Sequence, residues 1–131
     1  MAQVTVPART RSHDSNGAIA YKMPETTGIL AEGLSAADLR HGPIATAFAG
    51  APVLLIDAGG PAASDTSSLG ELLKARGATA VTLPPTRPGL PEPAQAVAAV
   101  VRGQQLARAL ALAKGADPDA PAGLTKVTPT T

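Results

Sequence analysis

The run Pro52-Val53-Leu54-Leu55-Ile56 limits this chain more than any other feature. A strand turns successive side chains to opposite faces. A strand that is apolar at every position must therefore be covered on both faces, as strands of parallel sheets are. Helical and extended signals alternate around it. Val4-Thr5-Val6 reads as a short first strand stopped by Pro7. Leu69, Leu72 and Leu73 recur at helical spacing, with Gly77 placed as a C-cap. Ala78 to Leu83 is a second strand rich in β-branched residues, and Ala94 to Lys114 is the longest helical candidate, with Gly115 as its stop. Strands alternating with helices predict an α/β fold: a mostly parallel sheet flanked by helices, with right-handed crossovers.

The connections are less regular. Residues 12–17 are polar and turn-like. Ala18 to Met23 reads as a short helix that Pro24 should kink or end. Ser35, with Asp38 three residues on, opens a short helix that Gly42-Pro43 would close. Asp57 to Thr66 reads as a loop, and Pro84 to Pro93, with five prolines, as an irregular connection. The apolar residues of 94–114 form no single stripe. This predicts burial on more than one side or a break near Gly103. The 131 residues fit one domain over 1–115, followed by an extended, proline-containing tail over 116–131.

Apolar residues make up 44% of the chain, mostly Ala, Val and Leu, with one Phe, one Tyr and no Trp. Small side chains bury little area each, so modest stability or reliance on a partner surface is expected. Net charge is +1 without a basic block or stacking aromatics, which argues against a nucleic-acid partner. Cysteine is absent, so disulfides and thiolate metal sites are excluded. Asp117 and Asp119 have no third acid at a suitable spacing and read as a turn rather than a metal loop. His13 reads as a surface residue. No cofactor or metal is implied. The N-terminus lacks a signal-peptide pattern, and Arg102 to Arg108 interrupt the best apolar stretch, so no membrane partner and a soluble, cytoplasmic protein are expected.

The chemistry concentrates between Lys22 and Pro43. Lys22 and Glu25 stand three apart, followed by Ala31-Glu32 and then Asp38-Leu39-Arg40-His41-Gly42-Pro43. This series resembles the SIS (sugar isomerase) domain family of phosphosugar isomerases. It is similar in particular to the second SIS domain of the glutamine–fructose-6-phosphate aminotransferases and to the SIS-type glucosamine-6-phosphate deaminases. Those proteins carry Lys-x-x-Glu, His-Ala-Glu and acid-x-basic-His-Gly-Pro in that order. Arg9 falls where they have Gly-Arg-Gly. The stretch 113–121 resembles their Lys-Gly-x-Asp-x-Asp-x-Pro, and 123–128 their closing Leu-x-Lys-x-Val-Thr. Taken singly, Lys22 and Glu25 would be a solvated helix pair, His41 a capping or surface histidine, and Lys126 a tail lysine. Their joint spacing carries the functional reading.

The resemblance implies a three-layer SIS-like domain and aldose–ketose chemistry on fructose 6-phosphate or glucosamine 6-phosphate. Glu25 would be the base that moves a proton between adjacent carbons. His41 would open the sugar ring. Lys126 would contact the open-chain carbonyl. Lys22 and Arg9 would assist substrate binding, Lys22 by pairing with Glu25. Several departures stand out. Pro24 interrupts the helix that presents the base, at a cost of about 3 kcal/mol in a helix interior. Ala18 replaces a glutamate, Leu30 replaces a histidine, and Arg9 lacks flanking glycines. The Ser/Thr-rich phosphate loop of a first SIS domain has no counterpart in this sequence. The domain is therefore expected to be incomplete or degenerate, and active only with another SIS domain or as a homo-oligomer. The alternative is a non-catalytic, truncated module for sugar binding or subunit association. A weaker reading is an unrelated small α/β domain.

Overall fold

In the computed structural model, which describes residues 2–5, 13–47, 49–57, 59–60 and 63–124, the expected alternation becomes four βα units. Strand β1 (Ala2–Thr5) leads to helix α1 (His13–Thr27), β2 (Ala31–Leu34) to α2 (Ala36–His41), β3 (Pro52–Ile56) to α3 (Ala63–Ala75), and β4 (Thr79–Leu83) to α4 (Glu92–Ala113). A 3-10 turn, Pro43–Thr46, follows α2. The sheet order is β2-β1-β3-β4 and every pair is parallel. Each helix therefore returns antiparallel to the strands, with its N-terminus at the carboxyl edge of the sheet.

The apolar run that demands two-sided cover obtains it. Val53 and Leu55 of β3 pack with Ala36 and Leu39 of α2 and with Leu69 and Leu73 of α3. Leu54 and Ile56, on the opposite face, pack with Ile19 of α1 and Ala99 of α4. The result is three layers: α1 and α4 on one side, the sheet, then α2 and α3 on the other. The sheet is small and ends at β4. Among the described residues the sheet has four strands, with β2 and β4 at its edges.

Helix α2 starts as its sequence predicts. Ser35 Oγ accepts the Asp38 amide at 3.0 Å and donates to Asp38 Oδ2 at 2.7 Å. Ser35→Ala should cost about 1 kcal/mol, the usual worth of such a cap. Thermal denaturation should then show Tm lower by about 4 °C. An unchanged Tm would mean that α2 is held by its packing alone.

Three expectations are corrected. Helix α1 starts at His13, not Ala18, absorbing most of the turn-like residues, and it runs through Pro24 to Thr27. Burial of Ile19, Ala20, Met23 and Thr27 against the sheet and α4 outweighs the local cost of proline. Thr26 Oγ1 donates to the Lys22 carbonyl at 2.8 Å and Thr27 Oγ1 to that of Met23 at 2.6 Å. The helix stops at Gly28, whose φ of 68° is left-handed and comfortable for glycine. Helix α3 begins at Ala63, inside the segment read as a loop. Strand β2, Ala-Glu-Gly-Leu, had no strand signature and forms because β1 offers it an edge. Of the two alternatives for the last helix, the break does not occur: α4 runs unbroken across Gly103, where an added Cβ would meet the Ile19 side chain of α1. Asp117 and Asp119 do form a turn, with Asp117 Oδ1 accepting the Asp119 amide at 2.9 Å.

Candidate active site

Glu25 lies in the last turn of α1. Since α1 runs against the strands, this turn sits at the edge where the strands begin. Its carboxylate takes a 2.7 Å hydrogen bond from Lys22 Nζ, one turn earlier. The pair is partly open to solvent, with side-chain exposures of 47% for Lys22 and 27% for Glu25, so it orients the carboxylate without adding much stability. Gly28 N bonds the Pro24 carbonyl at 3.0 Å and Ile29 N bonds Thr27 Oγ1 at 3.1 Å. These bonds, made by the turn's own backbone and a threonine hydroxyl, close the end of the helix that carries Glu25.

A cation not foreseen from sequence secures this turn. Lys114, just past α4, donates from Nζ to the Thr27 carbonyl at 2.6 Å. The carboxyl ends of two parallel helices meet here, and a positive charge satisfies an orphan carbonyl where both dipoles are negative. Its only sequence signal was a lysine in the last turn of a helix, which names no partner 87 residues away. The tail from Ala116 onward therefore leaves the fold beside the Glu25 turn.

His41 is the last residue of α2 and is exposed. Its neighbour Arg40 donates from Nη2 to Ser68 Oγ at 2.6 Å and to the Asp65 carbonyl at 3.3 Å, tying α2 to α3. Helices α1 and α2 belong to opposite layers, so the sheet stands between the elements that carry Glu25 and His41. No hydrogen bond joins the two residues. The structure brings Lys22 and Glu25 together and directs His41 outward from the other face. Arg9 and Lys126 lie outside the described residues.

A cleft of about 230 Å³ opens between α3 and the outer half of the sheet, bordered by Leu55, Asp57, Thr66, Glu71, Lys74 and Thr82. It includes neither Glu25 nor His41. Among the described residues, no group of three His, Cys, Asp or Glu gathers in a way that could hold a metal, and no helix is long and apolar enough to cross a membrane.

Comparison with known proteins agrees with this architecture. The model of the SIS domain family matches residues 7–84, from the segment after β1 to the end of β4. Glutamine–fructose-6-phosphate aminotransferase (isomerizing) of Thermococcus kodakarensis is 37% identical over 119 residues, which are 82% of this chain and 20% of that protein. The corresponding enzyme of Pyrococcus horikoshii is 35% identical over the same shares. The chain thus spans about a fifth of the length of these curated relatives. Among solved structures, a Silicibacter pomeroyi protein assigned to the phosphosugar isomerases superposes with a TM-score of 0.76 at 27% identity, over 89% of this chain and 38% of that one. Glucosamine-6-phosphate deaminase of Thermotoga maritima shares the fold at a TM-score of 0.71 and 24% identity, over 95% of this chain and 39% of that one. With a family model covering more than half of its length and the matching three-layer sheet, this chain belongs to the SIS domain family.

Proposed function

We propose that the chain is a phosphosugar isomerase-type SIS domain that acts on fructose 6-phosphate or glucosamine 6-phosphate and completes its site with a second SIS domain. The observation that carries this reading is the Glu25 turn. At the position that the resemblance assigns to the base, Glu25 is oriented by Lys22 and kept in a helical turn, even though Pro24 precedes it. In the open-chain sugar, a carboxylate there would take the proton beside the carbonyl and return it to the neighbouring carbon. His41 would shuttle the ring-opening proton, and Lys126 would contact the carbonyl from the tail. Because Glu25 and His41 are carried by opposite layers, they would serve one substrate only across two domains or two copies. Arg9 and Lys22 would add positive charge for the substrate. The cytoplasm, where sugar phosphates are made and used, is the compartment this reading implies.

Calorimetric titration with each sugar phosphate tests the reading, using Lys126→Ala as control. The expected outcome is binding that weakens in the variant. Binding without turnover, even with a complementing SIS domain added, would favour a carbohydrate-binding module instead. If neither sugar binds, alone or with that domain, the substrate assignment fails.

A further inference from the structure

The last turn of α1, which carries Glu25, is weakly held by its own helix. Pro24 has no amide hydrogen, so the Ala20 carbonyl lacks the donor it would take from four residues on, and the proline ring crowds that carbonyl. No basic residue lies in the turn to offset the negative end of the helix dipole. Thr27, at its end, is only 5% exposed. The Thr27 hydroxyl is engaged both ways, donating to the Met23 carbonyl and accepting from Ile29 N. Its carbonyl is one of the four that a helix leaves without an internal partner. On a buried residue, such a carbonyl needs a donor from elsewhere in the fold.

Lys114 supplies that donor, and from a rigid root. Its backbone amide bonds the Leu110 and Ala111 carbonyls at 3.0 and 3.1 Å. Gly115 N and Ala116 N bond back to the Leu112 and Ala111 carbonyls at 3.0 and 2.9 Å, with Gly115 left-handed at a φ of 73°. The backbone of Lys114 is thus fixed at the end of a 22-residue helix, and its Nζ reaches the Thr27 carbonyl at 2.6 Å. We propose that Lys114 is a positioning residue for the candidate base: from α4 it restores the hold on the Glu25 turn that Pro24 takes away within α1.

Without the ammonium, the Thr27 carbonyl is left desolvated and without a donor, or the turn opens to admit water. Pro24 makes opening the easier course. Glu25 then loses its placement, and a displaced base slows the chemical step while leaving substrate binding largely intact. Lys114 touches neither substrate nor Glu25 in this role; it acts through Thr27. The catalytic half of the proposal rests on the reading of Glu25 as the base, whereas the hold on the turn does not.

Native-state hydrogen exchange on the full chain reads the hold directly. Lys114→Met should speed exchange of the Gly28 and Ile29 amides, whose acceptors lie in this turn, by about tenfold, as expected for a lost hydrogen bond to a charged group. The Asp57 and Thr79 amides, which bond across β3 and β4, should keep their rates, which separates local release from general destabilisation. Lys114→Arg, still a cationic donor, should restore most of the protection. In a Pro24→Ala background, which returns the missing donor to α1, Lys114→Met should speed exchange only a few-fold. In the assembly with a complementing SIS domain, Lys114→Met should lower kcat about tenfold with KM little changed, and Lys114→Arg should recover it. Unchanged Gly28 and Ile29 exchange in Lys114→Met overturns the proposal. So do effects of Pro24→Ala and Lys114→Met that simply add, or a loss that Lys114→Arg does not repair. Turnover that Glu25→Gln abolishes but Lys114→Met leaves intact overturns this proposal alone. Turnover that survives Glu25→Gln, or is missing from the wild-type assembly, overturns the reading of Glu25 and the positioning role with it, whatever the exchange rates show.

Discussion

Glu25→Gln should lower isomerase turnover by roughly 10²–10⁴-fold when the chain is assembled with a complementing SIS domain, the contribution expected of a positioned general base. The substitution keeps the shape of the side chain and an oxygen that can still accept from Lys22. It removes only the basic oxygen. Little stability is at stake, since an exposed pair three residues apart on a helix contributes about 0.2–0.5 kcal/mol. A large fall in kcat with KM and Tm nearly unchanged therefore reports chemistry rather than folding. The assay is conversion of fructose 6-phosphate to the aldose phosphate. Lys22→Met is the companion: it loosens the carboxylate without removing it and should cost far less. Turnover within a few-fold of wild type in Glu25→Gln would place the base elsewhere.

Gly103→Val should destabilise the domain by about 3 kcal/mol, at the upper end of what overpacking a core costs. Helices α1 and α4 form the closest helix pair in the fold, and they meet along a row of small buried residues on α4: Ala99, Gly103, Ala107 and Ala111. Ile19 presses directly onto Gly103. A Cβ at position 103 would lie 2.6 Å from Ile19 Cδ1 and 2.9 Å from its Cγ2. Ile19 is fully buried and branched at Cβ, so it cannot swing aside, and the helices must part. Parting them also strains the Lys114–Thr27 contact that closes the Glu25 turn. For a chain of this size the loss corresponds to a Tm lower by roughly 10 °C. Gly17, on α1, is the control. Nothing lies within 4 Å of an added Cβ there, so Gly17→Ala should gain about 0.5–1 kcal/mol from helix propensity. Equal effects at the two glycines would refute the packing argument.

Both predictions depend on features with different visibility in the sequence. The sequence singles out Glu25 as a candidate through the spacing Lys22, Glu25, Ala31-Glu32, His41-Gly42-Pro43, because the residue types and intervals together are rare by chance. It does not single out the importance of Gly103. From sequence it marked a place where a helix could break, and only the approach of Ile19 from 84 positions earlier in the chain (103 minus 19) shows what the missing side chain is for.

The sequence by itself determined whatever depends on neighbours along the chain. The continuous apolar run at 53–56 required cover on two faces and so the layered parallel sheet. Ser35 started α2, and Gly77 and Gly115, both left-handed, ended α3 and α4. The order of helices and strands set the direction of the crossovers. Tertiary structure decided where local preference was weak or opposed. Pro24 stays inside α1 because four buried side chains on that helix outweigh one lost hydrogen bond. The Ala-Glu-Gly-Leu segment becomes β2 because β1 leaves an edge for it. The sheet separates the helices that carry Glu25 and His41, a consequence of the order in which the helices alternate between faces. Among the described residues, β4 stands at an edge of the sheet. These outcomes turn on pairings between segments far apart in the chain, whose energies come from surfaces that do not exist until the layers have packed.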